Sequence, residues 1–206
     1  MRPPDRVPRA LRARVPMMRA QSPRAPTFEE LYPAIVALPE GITGEILEPG
    51  VIRTMGRPGR AHRHVARILS GALGRFDRDR GGTGWWIEVE AQIRLPNDRL
   101  VVPDLSGWQA GEDDDAFLDQ NPIRRVPDWC CEVLSPSTER DDRKLKLPLY
   151  AEQGVKWTWL IDPEPRFAEV HETRNGRAEL TVRAEADTSL ELPPFGPFEL
   201  GHLWPR

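Results

Sequence analysis

The chain has 206 residues, of which 39% are hydrophobic and 30% are charged, a balance that is typical of a folded globular protein. This length is enough for one domain with a substantial core. No run approaches the roughly 20 apolar residues that cross a bilayer, so a membrane-spanning segment is excluded. The adjacent cysteines, Cys130 and Cys131, argue against a disulfide framework or a zinc site, and they predict a reducing, cytoplasmic setting.

The formal net charge of -3 is unevenly distributed along the chain. Residues 1–26 contain seven arginines and one acid, Asp5, so this segment carries +6 and the remaining residues carry -9. The segment is rich in proline and lacks the apolar core of a secretory signal. We predict a disordered leader over 1–26, or alternatively a basic arm that binds phosphate, followed by a single domain over 27–206. The acidity of that domain argues against a general, charge-driven DNA binder.

The first elements along the chain are predicted to be a helix, a hairpin and a second helix. Thr27 is a suitable N-cap for a helix that continues through Leu38. Glycines then separate two short strands over 42–47 and 51–54, which predicts a hairpin. Apolar residues at helical spacing predict the second helix over 61–76.

The rest of the chain predicts strands on both sides of a third helix. The strands are expected at 86–95, at 100–108 with an interruption at Pro103, at 129–134, and at 157–161, 167–172 and 180–184. The helix precedes Gly154, and the tail from Leu192 is predicted to be irregular. This order indicates an α/β (α+β) fold with a mixed central sheet flanked by helices.

Two acidic residues lie within apolar strand segments. Asp104 follows Val101, Val102 and Pro103, and Glu132 is enclosed by the apolar run 129–134. Burying an acid is costly unless a cation or hydrogen bonds compensate it. Two such acids on neighbouring strands predict a shared hard cation, for which Mg²⁺ is the best candidate. The alternatives are a turn position for Asp104 and a salt bridge to an arginine for Glu132.

The helix after Glu132 carries a polar stripe, because Asp142, Lys146 and Tyr150 recur every four residues. Lys146 could reach the same site, where it would orient a water molecule and stabilise a developing phosphorane charge, while Asp142 holds it in place. The alternative is an ordinary surface ion pair between Asp142 and Lys146. Pro148 lies inside this helix, deprives the carbonyl of Lys144 of its usual partner and predicts a kink.

The sequence leaves open whether a histidine reaches the cleft and whether a tryptophan stacks on a nucleic-acid base. His62 and His64 would point about 200° apart on a helix and could not share a metal. We predict surface or capping roles for them, with an approach of His64 to the cleft from the helix start as the alternative. The tryptophans fall mostly in predicted strands, which indicates core packing, although an exposed indole near the site could stack on an unpaired base.

Three segments together resemble a known family: GEILEPG (44–50), VVPDLSGW (101–108) and CEVLSPSTERDDRKLKLPLYAEQGVKWTWLIDP (131–163). They are similar to the Uma family, whose members are restriction-endonuclease-like proteins of the PD-(D/E)XK nuclease superfamily. The resemblance covers residues 27–204. It implies a restriction-endonuclease-like fold and hydrolysis of phosphodiester bonds in nucleic acid, with DNA as the expected substrate. It also implies a Mg²⁺ cofactor, for which Mn²⁺ can substitute.

The resemblance assigns roles to particular residues. It makes Asp104 and Glu132 catalytic metal ligands, and Lys146 the catalytic lysine, displaced from the superfamily's usual place at Leu134. The carbonyl of Val133 and the side chain of Glu45 are implied as further metal ligands. Gln92, on the strand before Asp104, is expected to face the site.

Two rival functions remain open at this point. One is a non-catalytic module that binds nucleic acid or protein, and it would be favoured by a filled site or by a Lys146 that points into bulk solvent. The other is a hydrolase of smaller phosphoesters, which would have a closed pocket. For a nuclease that cuts both strands, we expect a homodimer.

Overall fold

The computed structural model describes residues 24–111, 115–185 and 188–205. The leader predicted over 1–26 therefore lies, up to residue 23, outside the described residues. The helices are α1 (Phe28–Val36), α2 (Arg60–Leu73) and α3, which joins the consecutive segments Glu139–Asp141, Asp142–Lys146 and Leu147–Gln153. The strands are β1 (Thr43–Glu48), β2 (Val51–Met55), β3 (Trp85–Val89), β4 (Ile93–Arg94), β5 (Leu100–Val101), β6 (Leu105–Gln109), β7 (Trp129–Val133), β8 (Trp157–Asp162), β9 (Phe167–Arg174), β10 (Arg177–Glu185), β11 (Ser189–Leu192) and β12 (Gly196–Glu199).

Most of these strands belong to two sheets. In the described part of the chain, the larger sheet has six strands in the order β10-β9-β8-β7-β6-β3, and the smaller sheet has four in the order β2-β1-β5-β4. The larger sheet is mixed, because β7 and β8 are parallel while the other neighbours are antiparallel. The predicted class, a mixed α/β fold with helices beside a mixed central sheet, is confirmed.

Local signals place the first helix where the sequence predicts it. The side chain of Thr27 accepts a hydrogen bond from the backbone of Glu30, and the side chain of Glu30 accepts one from the backbone of Thr27. This reciprocal pair is a capping box, which satisfies two backbone donors at the helix start. The helix ends at Val36, slightly before the predicted end at Leu38.

The predictions of continuous strands over 86–95 and 100–108 are wrong. Each segment divides into one strand of the large sheet and one of the small sheet. The first breaks at Glu90, which has a positive φ of 53°, and the second breaks around Pro103, which has no amide hydrogen to donate to a sheet. The amide of Glu90 donates to the carbonyl of Asp104 at 3.2 Å, so the two breaks lie side by side.

Helices α2 and α3 cover opposite faces of the large sheet. Val65 and Leu69 of α2 are fully buried in one core cluster together with Trp129 of β7. Tyr150 of α3 lies in another core cluster with Cys130. Because side chains alternate along a strand, Glu132 shares the face of Cys130 and points towards α3.

The prediction of an irregular tail from Leu192 is also wrong. Strands β11 and β12 form an antiparallel hairpin, a separate two-stranded sheet whose side chains pack against the large sheet. Phe195, at the turn, packs its ring 4.8, 4.9 and 5.6 Å from the rings of Trp85, Trp129 and Trp159, measured between centroids. The hairpin escaped prediction because its prolines and glycine mark a loop locally, whereas burial of its apolar side chains depends on the sheet beneath.

Replacement of Phe195 by alanine should lower the free energy of unfolding by about 3 to 5 kcal/mol, because it leaves a cavity among buried aromatic rings. Chemical denaturation at equilibrium measures this difference. Phe117→Ala is the matched control, since Phe117 is only half-buried against Trp108 and should lose clearly less. Equal losses in the two variants would show that the C-terminal hairpin is not part of the core.

Candidate active site

An irregular turn in α3 positions the polar stripe. Residues Asp142–Lys146 form a π-helical segment, in which the amide of Leu147 donates to the carbonyl of Asp142. Pro148 lies in the first turn of the α-helical segment that follows. The disruption expected at Pro148 thus takes the form of a π-bulge, a feature that is frequent at functional sites.

The ammonium of Lys146 is the centre of a buried ionic cluster. Its Nζ lies 2.9 Å from Glu45 Oε1, 3.2 Å from Glu132 Oε2 and 3.5 Å from Asp142 Oδ1. Only 2% of the Lys146 surface is exposed. The alternative of a surface ion pair is therefore wrong, and so is the alternative of an arginine partner for Glu132.

The cluster contains more negative than positive charge. Burial lowers the pKa of Lys146, but Glu132, Glu45 and Asp142 outweigh this effect and raise it well above the usual value. Burial raises the pKa of Glu132 well above the ordinary range, and Lys146 opposes the rise only in part. Burial also raises the pKa values of Glu45 and Asp142. With Asp104 nearby, four carboxylates face one ammonium, and a bound cation would relieve this imbalance.

Tyr150 fixes the orientation of the Glu132 carboxylate. Its hydroxyl donates to Glu132 Oε1 at 2.5 Å, while the other carboxylate oxygen faces Lys146. Burial, together with the charge of Glu132, raises the pKa of Tyr150 well above its usual value, so the phenol remains a neutral donor. Glu132 is consequently held from two sides by residues of the predicted stripe.

Asp104 links the ends of two neighbouring strands. Its Oδ2 accepts a hydrogen bond from the amide of Val133 at 2.7 Å, and its Oδ1 lies 2.7 Å from His62 Nε2. The carboxylate of Asp104 is thereby fixed beside the end of β7, next to Glu132. Val133 contributes its amide to this arrangement, and the metal-binding role implied for its carbonyl stays a prediction.

These side chains lie in a cleft with a volume of about 470 Å³. Asp104, Glu132, Asp142 and Lys146 line it, and residues 54–59 and 135–138 form parts of its rim. Among the described residues, no three His, Cys, Asp or Glu side chains converge closely enough to enclose a cation by themselves. Mg²⁺, however, usually takes one or two carboxylates and keeps several waters. Asp104 and Glu132 fit this role, because each carboxylate has lone pairs beyond those in the hydrogen bonds above.

Two predicted supporting residues are not brought to the cleft. Gln92 lies outside the lining, and its side-chain oxygen accepts a hydrogen bond from Tyr32 at 2.8 Å. The strand break at Glu90 carries Gln92 away from the large sheet. His64 also lies outside the lining, whereas His62 is within it, because α2 turns His62 to the same side as Val65 and therefore turns His64 away.

The surface or capping role predicted for His62 is wrong, because its side chain is buried against Asp104, and no role was predicted for Glu90. The helical phase of α2 contained a signal for His62, since it lies one turn before apolar core positions. Glu90 lines the cleft at the strand break, and no local pattern indicated that break. None of the tryptophans in the described part of the chain lines the cleft, so base stacking by an indole is not supported there.

Comparison with known proteins is consistent with this site. A family model described as "Uma2: Putative restriction endonuclease" matches residues 26–202. The chain belongs to the Uma2 family. A matching solved structure is that of a protein from Anabaena variabilis ATCC 29413, described as "a putative nuclease belonging to DUF820", with a TM-score of 0.66 and 21% sequence identity. The match covers 86% of this chain and 97% of that protein, and it shows a shared fold. No curated protein matches the chain significantly.

Removal of the buried ammonium should destabilise the protein in the presence of a chelator. Lys146→Met leaves three carboxylates without their cation and should cost about 3 to 5 kcal/mol at neutral pH. Since the folded-state pKa values of the Glu45, Glu132 and Asp142 carboxyls are raised, their contribution to stability is greatest below their unfolded pKa values and falls as pH rises. The deficit of Lys146→Met should therefore shrink as pH is lowered towards about 5.

Denaturant titrations across pH measure this effect. Asp142→Asn is the matched control, because it removes one of the surplus carboxylates and should change the free energy of unfolding by less than about 1 kcal/mol. A deficit in Lys146→Met that does not change with pH would contradict the charge imbalance.

Proposed function

We propose that this protein is a metal-dependent endonuclease that hydrolyses phosphodiester bonds in DNA, with Mg²⁺ as its cofactor and Mn²⁺ as a substitute. One observation carries the proposal: Asp104, Glu132 and Lys146, from three separate segments, line the same open cleft. Membership of the Uma2 family, whose model is described as "Putative restriction endonuclease", supports it. Lys146 is oriented into the cleft rather than into bulk solvent, which favours an enzyme over a module that only binds.

The protein's own residues then have distinct roles. Asp104 and Glu132 would hold the metal ion, which, when bound, lowers the pKa of a coordinated water and polarises a phosphoryl oxygen. The raised pKa of Lys146 keeps its Nζ protonated at neutral pH. Lys146 therefore acts through its positive charge, which stabilises negative charge on the phosphorane, and does not act as a general base.

Glu45 is better explained as a positioning residue than as the metal ligand expected from the family resemblance. Its Oε1 already accepts a hydrogen bond from the amide of Val102 at 2.8 Å and lies 2.9 Å from Lys146 Nζ. It is 1% exposed and is not among the residues that line the cleft. We propose that Glu45 and Asp142 hold Lys146 in place while Tyr150 holds Glu132.

Cleavage of supercoiled plasmid tests the catalytic proposal. The wild-type protein should nick the plasmid with Mg²⁺ or Mn²⁺ and not with chelator, and Glu132→Ala and Lys146→Ala should each lower the rate by about 100-fold or more. Lys156→Met, which alters an exposed lysine paired with Glu172, is the matched control and should cleave normally.

Other outcomes of the cleavage assays would favour one of the rival functions or a different active site. Absence of cleavage of duplex DNA, single-stranded DNA and RNA would support a non-catalytic binding module. Cleavage of a small phosphodiester alone would indicate the hydrolase of smaller substrates. Activity that survives in both active-site variants would place the active site elsewhere.

Metal binding can be tested without activity. Mg²⁺ or Mn²⁺ at ten times its dissociation constant should stabilise the folded protein by about 1.4 kcal/mol, seen as a higher melting temperature. Asp104→Asn and Glu132→Gln should lose this shift. Glu152→Gln, at an exposed position of α3, should retain it. A full shift in Asp104→Asn would rule out Asp104 as a ligand.

We also propose that the nuclease acts as a homodimer in the cytoplasm, because cleavage of both strands needs two active sites and both cysteines are free and buried. Light scattering at micromolar concentration should give twice the mass of the chain, and a monomer would contradict the proposal. Among the described residues, no helix is long and apolar enough to span a bilayer.

A further inference from the structure

Helix α2 carries positive charge that the rest of the structure does not neutralise. It contains Arg60, Arg63 and Arg67 and no acidic residue, although residues 27–206 carry a net charge of -9. Arg63 and Arg67 are exposed, and among the described residues no carboxylate pairs with either of them; Arg63 Nη1 donates a hydrogen bond to the carbonyl of Pro58 at 2.5 Å, which leaves its charge uncompensated. They are four residues apart, so they lie next to each other on one side of the helix. Unpaired neighbouring guanidinium groups on an acidic protein suggest an anionic partner.

These arginines line a second cleft that is continuous with the active site. It has a volume of about 390 Å³, and it shares Asp104, His62 and Glu90 with the catalytic cleft. Arg63, Arg67 and Arg80 lie along it. The arginines therefore share a cleft with Asp104, which also lines the candidate active site.

Arg80 is held in position at the far side of this cleft. Its Nη1 donates to the carbonyl of Ser70 at 3.0 Å, and its Nη2 donates to the hydroxyl of Ser70 at 3.1 Å. Part of its charge is balanced by Asp77, whose Oδ2 lies 3.5 Å from the Nε of Arg80. Arg63, which uses one N–H group on the carbonyl of Pro58, and Arg67 thus keep a positive charge that no carboxylate of the described residues balances, while Arg80 forms part of the cleft wall.

We propose that this second cleft binds the nucleic-acid backbone next to the scissile phosphate, with Arg63 and Arg67 each contacting a phosphate group. The proposal rests on the nuclease function proposed above and specifies how its substrate is held. Guanidinium groups match phosphate geometry well, because they can donate two parallel hydrogen bonds. Charges beyond about 8 Å are largely screened at physiological salt, so these two local cations can attract a polyanion although the net charge of the protein is negative.

Oligonucleotide binding by the double variant Arg63→Ala/Arg67→Ala tests the proposal. Fluorescence anisotropy of a labelled duplex, with Ca²⁺ in place of Mg²⁺ to prevent cleavage, gives the affinity over a series of salt concentrations. We expect the affinity to fall about tenfold or more, and the slope of log K against log salt to decrease in magnitude by about two, since each phosphate contact contributes about 0.9. In cleavage assays, KM should rise while kcat stays close to that of the wild type.

Arg177→Ala is the matched control, because Arg177 is an exposed arginine at the start of β10, an edge strand of the large sheet. It should leave both the affinity and the salt dependence unchanged. The melting temperature of the double variant should lie close to that of the wild type, because neither arginine has an ion pair to lose within the described structure and the hydrogen bond from Arg63 to the carbonyl of Pro58 is exposed to solvent.

The binding and cleavage results test the phosphate-binding cleft and the nuclease function independently. Unchanged binding and salt dependence in the double variant would overturn the inference even if the wild-type protein cleaves DNA. Equal losses in Arg177→Ala, or a wild-type protein that binds no oligonucleotide, would also overturn it. Binding that depends on Arg63 and Arg67 without any cleavage would support the phosphate-binding cleft and refute the nuclease function.

Discussion

The buried ammonium of Lys146 is the interaction on which the rest of the site depends. It joins Glu45 of β1, Glu132 of β7 and Asp142 of α3, so one positive charge connects the small sheet, the large sheet and the helix. A single buried ion pair gains little, because desolvation offsets its attraction, but removal of one partner leaves the others uncompensated. Each of these three elements is therefore constrained to approach the same point, and Lys146, Glu132 and Asp142 also line the candidate cleft.

The same cluster determines what chemistry the cleft can support. Three carboxylates around Lys146 keep it charged, which suits a cation that stabilises an anionic transition state. The remaining negative charge, with Asp104 fixed by Val133 and His62, suits a divalent cation. Stability and the proposed metal-dependent function are thus opposed here, since burial of surplus carboxylates is unfavourable in the absence of a cation.

Local charge explains how an acidic protein could hold a polyanionic substrate. The carboxylates of the catalytic cleft would repel a phosphate backbone in the absence of metal. Arg63 and Arg67 place positive charge in the second cleft, which Asp104 also lines. The net charge of the chain is therefore a poor guide to this surface, because the arrangement of a few side chains sets the potential that a substrate meets.

The sequence by itself determined most elements and the central residues of the site. The capping residue Thr27, the helical periodicity of α2 and the buried run around Glu132 are local patterns, and the structure contains each of them. The spacing of Asp142, Lys146 and Tyr150 was sufficient to place all three on one side of α3, because helix geometry depends only on neighbouring residues.

Only the tertiary structure decided which side chains meet across elements. His62 rather than His64 contacts Asp104, and Glu45 pairs with Lys146. Two predicted strands are divided at Glu90 and Pro103. The C-terminal hairpin packs into the core. Periodicity predicts which residues share a face of one helix or strand. It does not determine the rotation of that element about its axis or its neighbours in the sheet, because these depend on long-range packing between segments far apart in the chain.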